Sequence, residues 1–234
     1  MTIASILQRL KRSLVNSAGT IVFGMEDGTV SILGLVLGVA ATTTSSRAVI
    51  IAGTAGAAAA AVSMMAGAYL DAETSRDEVK ATRERMQAEP APTLASVNAL
   101  LSNRLGAAGL TPQLSAALTG AVRGNPEAIK GLVFAMQSTP EAQLDPWEQA
   151  LWMLVADFLS AAVPILPFVL LPISQARLVS AAVTTGLLIA LGVGRARIAK
   201  RSVIRTVGET VSIGIAAALA GVGFGVLINR GFGG

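Results

Sequence analysis

Residues 21–40 read IVFGMEDGTVSILGLVLGVA. Only Glu26 and Asp27 are charged in this stretch, and glycine recurs at Gly24, Gly28, Gly34 and Gly38. A helix of about 20 such residues covers the roughly 30 Å hydrocarbon core of a bilayer. The stretch predicts a membrane-crossing helix over about Ala18–Ala41 with two acids in it. Gly24/Gly28 and Gly34/Gly38 form GxxxG pairs, the spacing that lets another helix approach closely. An ionisable group within hydrocarbon is costly, so it marks a bundle interior or a pathway.

Four more segments qualify as spans. Ala48–Leu70 carries no charge, Pro146–Pro172 has Asp157 as its one deep charge, Leu178–Gly194 is short but clean, and Val207–Asn229 holds Glu209 near its start. Across the 234 residues, 53% are apolar and 14% charged, against about 25% charged in soluble domains. There is no Cys and no His, which excludes zinc fingers, iron–sulfur sites, haem histidines, Cys nucleophiles and His-based triads. The net charge of +4 comes from bases flanking apolar segments, so topology accounts for it and nucleic acid is not an expected partner.

Those bases orient the chain. Arg9, Lys11 and Arg12 precede the first span, seven bases follow the second, and Arg195, Arg197, Lys200, Arg201 and Arg205 follow the fourth. The opposite side has Arg47, Arg177 and Arg230. The positive-inside rule then places the N-terminus in the cytoplasm and, with five spans, the C-terminus on the far side. In residues 1–15, Ile3, Ile6, Leu7, Leu10 and Leu14 alternate with the bases at helical spacing. That pattern suits a helix lying in the membrane interface, or a lead-in to the first span.

Residues 71–148 differ in composition, holding ten of the fourteen acids, with Pro90, Pro92, Pro112, Pro126 and Pro140. Thr111-Pro112 and Asn125-Pro126 place a capping side chain before a proline at the first helical position, and Asp145-Pro146-Trp147-Glu148 resembles a capping box opening the third span. Apolar stripes at Leu94/Val97/Leu101/Leu105, Leu114/Ala117/Leu118/Ala121 and Ile129/Leu132/Val133/Met136 predict a small bundle, with helices near 73–88, 93–106, 112–122 and 126–137. A stretch this long is a domain rather than a loop. The expected organisation is an interfacial helix over 1–15, two spans over 16–72, a cytoplasmic helical domain over 73–145 and three spans over 146–234. The fold class is all-α: an integral membrane protein of five transmembrane helices, with the helical domain inserted between helices 2 and 3.

Asp27 is the leading site residue. No base is expected within a span to pair with it, and the second span supplies Ser63, Met64 and Met65. Methionine is ordinarily core filler, but beside an unpaired carboxylate a thioether is a soft metal ligand. Oxygen and thioether sulfur without imidazole or thiolate fit weak, transient binding of Fe²⁺ or Mn²⁺, and a transport site must release its ion. Glu73, Asp77, Lys80 and Glu84 share one helical face, either a solvated ion-paired surface or a metal-capturing one. Asp157 and Glu209 are further acids able to carry protons or bind the ion. Glu209 lies four residues after Arg205, at ion-pair spacing, and Asp157 precedes Pro164 and Pro167, which predict a kink.

These residues resemble the vacuolar iron transporter, or nodulin-21-like, family. The first span with its Asp27-Gly28, the run Ala61-Val62-Ser63-Met64-Met65-Ala66-Gly67-Ala68-Tyr69-Leu70, and Pro164-Ile165-Leu166-Pro167-Phe168 are similar to that family's motifs in order, across nearly the whole chain. The resemblance implies a homodimer with its pathway between the two first spans. It also implies export of Fe²⁺, often Mn²⁺, from the cytosol against protons. Asp27 falls on the family's mid-span aspartate and Met64 on its pathway methionine. Where the family carries further acids nearer the cytosol, this chain has Thr20 and Asn16, and residues 90–126 contain no acid.

The candidate metal residues are therefore Asp27, Met64, Glu26, Glu73 and Glu84, and the proton-coupling candidates Asp27, Asp157 and Glu209. The expected partners are a second copy, the bilayer, divalent metal ions and protons, with the ion as cargo and no cofactor. The competing reading is a non-transporting membrane scaffold on the same helices. No HExxH, GxSxG or Walker A sequence is present, so no enzymatic reaction is assigned.

Overall fold

The computed structural model describes residues 3–88, 93, 95–97, 99, 103, 111–121, 125–137 and 145–232. Among the described residues every regular element is helical. The helices are α1 (Ile3–Asn16), α2 (Ala18–Thr42), α3 (Ser46–Ala88), α4 (Pro112–Ala121), α5 (Pro126–Gln137), α6 (Pro146–Leu170), α7 (Ile173–Ile198) and α8 (Val203–Phe232). Five of them, α2, α3, α6, α7 and α8, are long and apolar enough to cross a membrane. The protein is an all-helical, multi-pass membrane chain.

The spans outrun their hydropathy outlines. α7 begins at Ile173 and ends at Ile198, so it takes in Arg177, Arg195 and Arg197, whose charge had limited the predicted span to Leu178–Gly194. α6 stops at Leu170, and Leu171 is extended (φ −130°, ψ 155°). The residue before Pro172 is sterically disfavoured in the helical region, so the break falls there. The expected helix near 73–88 is the far end of α3, one 43-residue helix. No glycine or proline lies between Leu70 and Ala88, so nothing stops propagation. α6 continues unbroken through Pro164 and Pro167.

The caps read from sequence are present at two sites. Asp145 caps α6 by accepting from Trp147 N at 3.1 Å, and Asn125 caps α5 by accepting from Ala128 N at 3.1 Å. Most of the helix expected near 93–106 lies outside the described residues.

The chain forms two compact units, Met1–Leu70 with Asp145–Gly234, and Asp71–Leu144. In the second unit, Lys130 Nζ donates to Gln87 O at 3.1 Å, at the carbonyl end of α3 where a cation is favoured. The Arg83 guanidinium lies 5.8 Å from the centre of the Phe134 ring. Ile129, Val133 and Val97 are buried, whereas Leu114, Ala117 and Ala121 of α4 are exposed, against the stripe expected for them.

In the first unit α2 is the central helix. Ile32, Val36 and Ala40 of α2 form a core with Val49 and Ala57 of α3, Ala161, Ile165 and Phe168 of α6, and Ala176 of α7. α8 runs parallel to α2 on another side, backbone against backbone. A Cβ on Gly38 would lie 2.5 Å from Gly221 O, and one on Gly225 2.6 Å from Gly38 O. Gly24 and Gly28 receive α6 in the same way. Both GxxxG pairs therefore seat helices of this chain. α1 is tied to α6 by Trp152 Nε1, which donates to Ser13 Oγ at 2.7 Å, while Ile6, Leu7, Leu10, Leu14 and Val15 are exposed.

Gly38→Val forces α2 and α8 apart and is expected to destabilise the protein by about 1–3 kcal/mol or more. Thermal unfolding in detergent measures this, with Gly223→Val, whose added Cβ meets open space, as the comparison.

Candidate functional site

α2 turns one face to each neighbour. Gly24 and Gly28 meet α6, Ile32 and Val36 enter the core, and Gly34 and Gly38 meet α8. The most open stripe at i,i+4 spacing is Phe23, Asp27 and Ser31, with Asp27 partly exposed and the other two exposed, while Leu35 beyond them packs on Gly56 of α3. Among the described residues the Asp27 carboxylate has no hydrogen-bond or ion-pair partner.

Its neighbour Glu26 points elsewhere. Arg195 Nη1 lies 3.2 Å from Glu26 Oε2, and Thr210 Oγ1 donates to Glu26 Oε1 at 3.3 Å. The sequence reading placed Arg195 in a loop. The structure puts it in the last turn of α7, which closes with Lys200 at φ 51° and a 2.9 Å bond from Arg201 N to Ala196 O. That is the six-to-one bond of a Schellman-type end, with lysine in the left-handed position usually given to glycine. A base does therefore lie within a span, and it pairs with Glu26.

Two cavities adjoin this pair. One, of about 240 Å³, is lined by Phe23, Glu26, Asp27, Val30, Arg195, Thr210 and Ile213. The other, of about 220 Å³, is lined by Gly19, Val22, Phe23, Glu26, Arg195, Ile198 and Ala199. Asp27 belongs to the first alone.

Asp157 on α6 packs against Gly28. A Cβ on Gly28 would lie 2.8 Å from Asp157 Oδ1 and 2.7 Å from Ser160 Oγ. Asp157 is completely buried, and neither carboxyl oxygen has a hydrogen-bond partner among the described residues. α2 and α6 thus bring two acids to one level of the bundle.

Met64 lies on α3. Gly53 of α3 meets Val36 of α2, and Gly56 meets Leu35 and Ile32, an antiparallel progression. Met64, further along α3, is partly buried. Glu73 and Glu84 are exposed on the distal half of α3, in the unit Asp71–Leu144. Glu209 is held by Arg205 Nε at 3.2 Å and Arg201 Nη2 at 3.6 Å, the ion pair its spacing offered. Among the described residues no three acids gather closely enough to hold a metal ion. Arg195 and Thr210 are the site residues that sequence reasoning missed. The one available signal was that Arg195 directly follows an apolar run.

Residues 18–226 match the profile of the VIT family, from the first residue of α2 deep into α8. The chain belongs to the VIT family. It is 29% identical over 208 residues to Vacuolar iron transporter 1 of Arabidopsis thaliana, a match covering 86% of this chain and 81% of that protein. The family match begins where α2 begins, so α1 stands outside it. Within it lie Asp27, Met64 and Asp157, and with them the Glu26–Arg195 pair.

Removing the charge of Asp157 removes a buried, unpaired ionisable group while keeping its shape. Asp157→Asn is therefore expected to leave the melting temperature in detergent unchanged or raised. A large fall would place this carboxylate in a stabilising network.

Proposed function

We propose that this VIT-family chain moves a divalent transition-metal ion, Fe²⁺ or Mn²⁺, out of the cytosol in exchange for protons. It acts as a homodimer with its pathway between the two α2 helices. The observation that carries this reading is Asp27: an acid without a partner on the open face of a membrane-crossing helix, at the wall of a 240 Å³ cavity. Such a group facing lipid is costly. A second copy laid along Phe23, Asp27 and Ser31 removes it from lipid and brings two carboxylates together. The relative's name, Vacuolar iron transporter 1, supports iron as the cargo.

The donor chemistry agrees. Carboxylate oxygens from Asp27 and the thioether of Met64 make a mixed set for first-row divalent ions, weak enough to let go. An oxygen lone pair that holds a proton does not hold the metal, so acid on the far side releases the ion. Asp157, packed on Gly28 behind Asp27, is the second proton-carrying acid. Glu209, engaged by two arginines, takes no part. Exposed Glu73 and Glu84 collect ions loosely on a cytoplasmic domain over 73–145. Apolar α1, with Arg9, Lys11 and Arg12, lies in the membrane interface.

In proteoliposomes with an imposed pH gradient, Fe²⁺ or Mn²⁺ flux is expected for the wild type and none for Asp27→Ala. Full flux in that variant overturns the assigned site. Absence of any flux from well-folded wild type supports the scaffold reading instead.

Because the chain has no cysteine, single substitutions report sidedness directly. S202C, between α7 and α8, is expected to react with an impermeant thiol reagent from the cytosolic side, and S45C, between α2 and α3, from the opposite side. The reverse pattern overturns the orientation.

A further inference from the structure

Phe23, Glu26 and Arg195 line both cavities, so the two cavities adjoin at these side chains. One cavity reaches Gly19, near the start of α2, and Ala199, the cap of α7. The other reaches Asp27. A route from the helix ends to Asp27 through these cavities passes the Glu26–Arg195 pair.

The two halves of the pair are held differently. Glu26 is only 12% exposed and is fixed from both sides, by Arg195 at 3.2 Å and Thr210 at 3.3 Å. The Arg195 side chain is 40% exposed, in the last turn of its helix. The acid is the enclosed half and the base the more exposed one. A cation on this route must pass a guanidinium or replace it on Glu26.

Coulomb attraction scales with charge. A divalent ion gains about twice what the guanidinium gains from the same carboxylate at the same distance. Both kinds of ion give up hydration, the divalent more, but a first-row divalent ion also gains coordination to carboxylate oxygen, whereas Na⁺ or K⁺ gains no more than the group it displaces.

We propose that Arg195 is a specificity-determining residue of the pathway: it occupies Glu26 against monovalent cations and yields it to a divalent one. The proposal rests on the transport reading above and adds to it a filter ahead of Asp27.

The test uses full-length protein in liposomes. Mn²⁺ influx is measured in NaCl and in choline chloride at equal ionic strength. Wild-type flux is expected to be nearly the same in both. Arg195→Gln frees Glu26 for Na⁺, so its flux is expected to fall about threefold or more in NaCl, the weight of one partly exposed ion pair. Arg195→Lys keeps the charge and restores wild-type behaviour. Adding Glu26→Gln to Arg195→Gln removes the Na⁺ effect, because no carboxylate is left to occupy. Arg195→Met serves as a second neutral variant should glutamine disturb the helix end.

Equal flux of the neutral variants in both salts overturns the proposal. So does a Na⁺ effect that survives Glu26→Gln, because it would then arise elsewhere. If the wild type carries no Mn²⁺ and no Fe²⁺, the transport reading falls and takes this inference with it. If the wild type carries metal and the Na⁺ effect is absent, the filter alone falls.

Discussion

Close backbone contact around α2 is the constraint on which the first unit depends. A helix with Glu26 and Asp27 in a membrane-crossing segment needs neighbours that shield or answer those charges, and ordinary side chains would hold the neighbours off. Glycine at 24 and 28 admits α6, and glycine at 34 and 38 admits α8. The approach of α6 sets Asp157 against Gly28, and α8 delivers Thr210 to Glu26. The position of each acid follows from which side of α2 lacks a methyl group.

The two adjacent acids of α2 have opposite fates because successive helical residues point about 100° apart. Glu26 turns toward α7 and α8, where a guanidinium and a hydroxyl meet it. Asp27 turns to a more open face, at the wall of the cavity that Arg195 and Thr210 also line. A neutralised acid and an available acid thus stand side by side. The first ties helices together, and the second has no hydrogen-bond or ion-pair partner among the described residues.

Much of this was legible in the sequence. The five spans follow from runs of apolar residues long enough to cross hydrocarbon, and Asp27 stood out because charge is rare there. The caps at Asn125 and Asp145 were visible because a proline at the first helical position leaves few alternatives. What escaped has a common physical cause. Hydropathy ends a span at the first cluster of charges, whereas a helix ends where its backbone does. Arg195 was therefore assigned to a loop, and the pairing of Glu26 went unseen. The same error divided α3 at Leu70, although no residue up to Ala88 disfavours helix. The GxxxG spacing announced close contact without saying with which helix, since small residues carry no label for their partner. The pairing of Glu209 was half legible: spacing offered Arg205, while Arg201 reaches it across a helix break.

The interlocking glycines of α2 and α8 also act at a distance. Gly34, Gly38, Gly221 and Gly225 share a single seam, so a methyl at any one of them parts the two backbones. Thr210 rides on α8, so that parting also draws its hydroxyl from Glu26 and widens the space in front of Asp27. A residue that touches neither acid can thereby reset the surroundings of both.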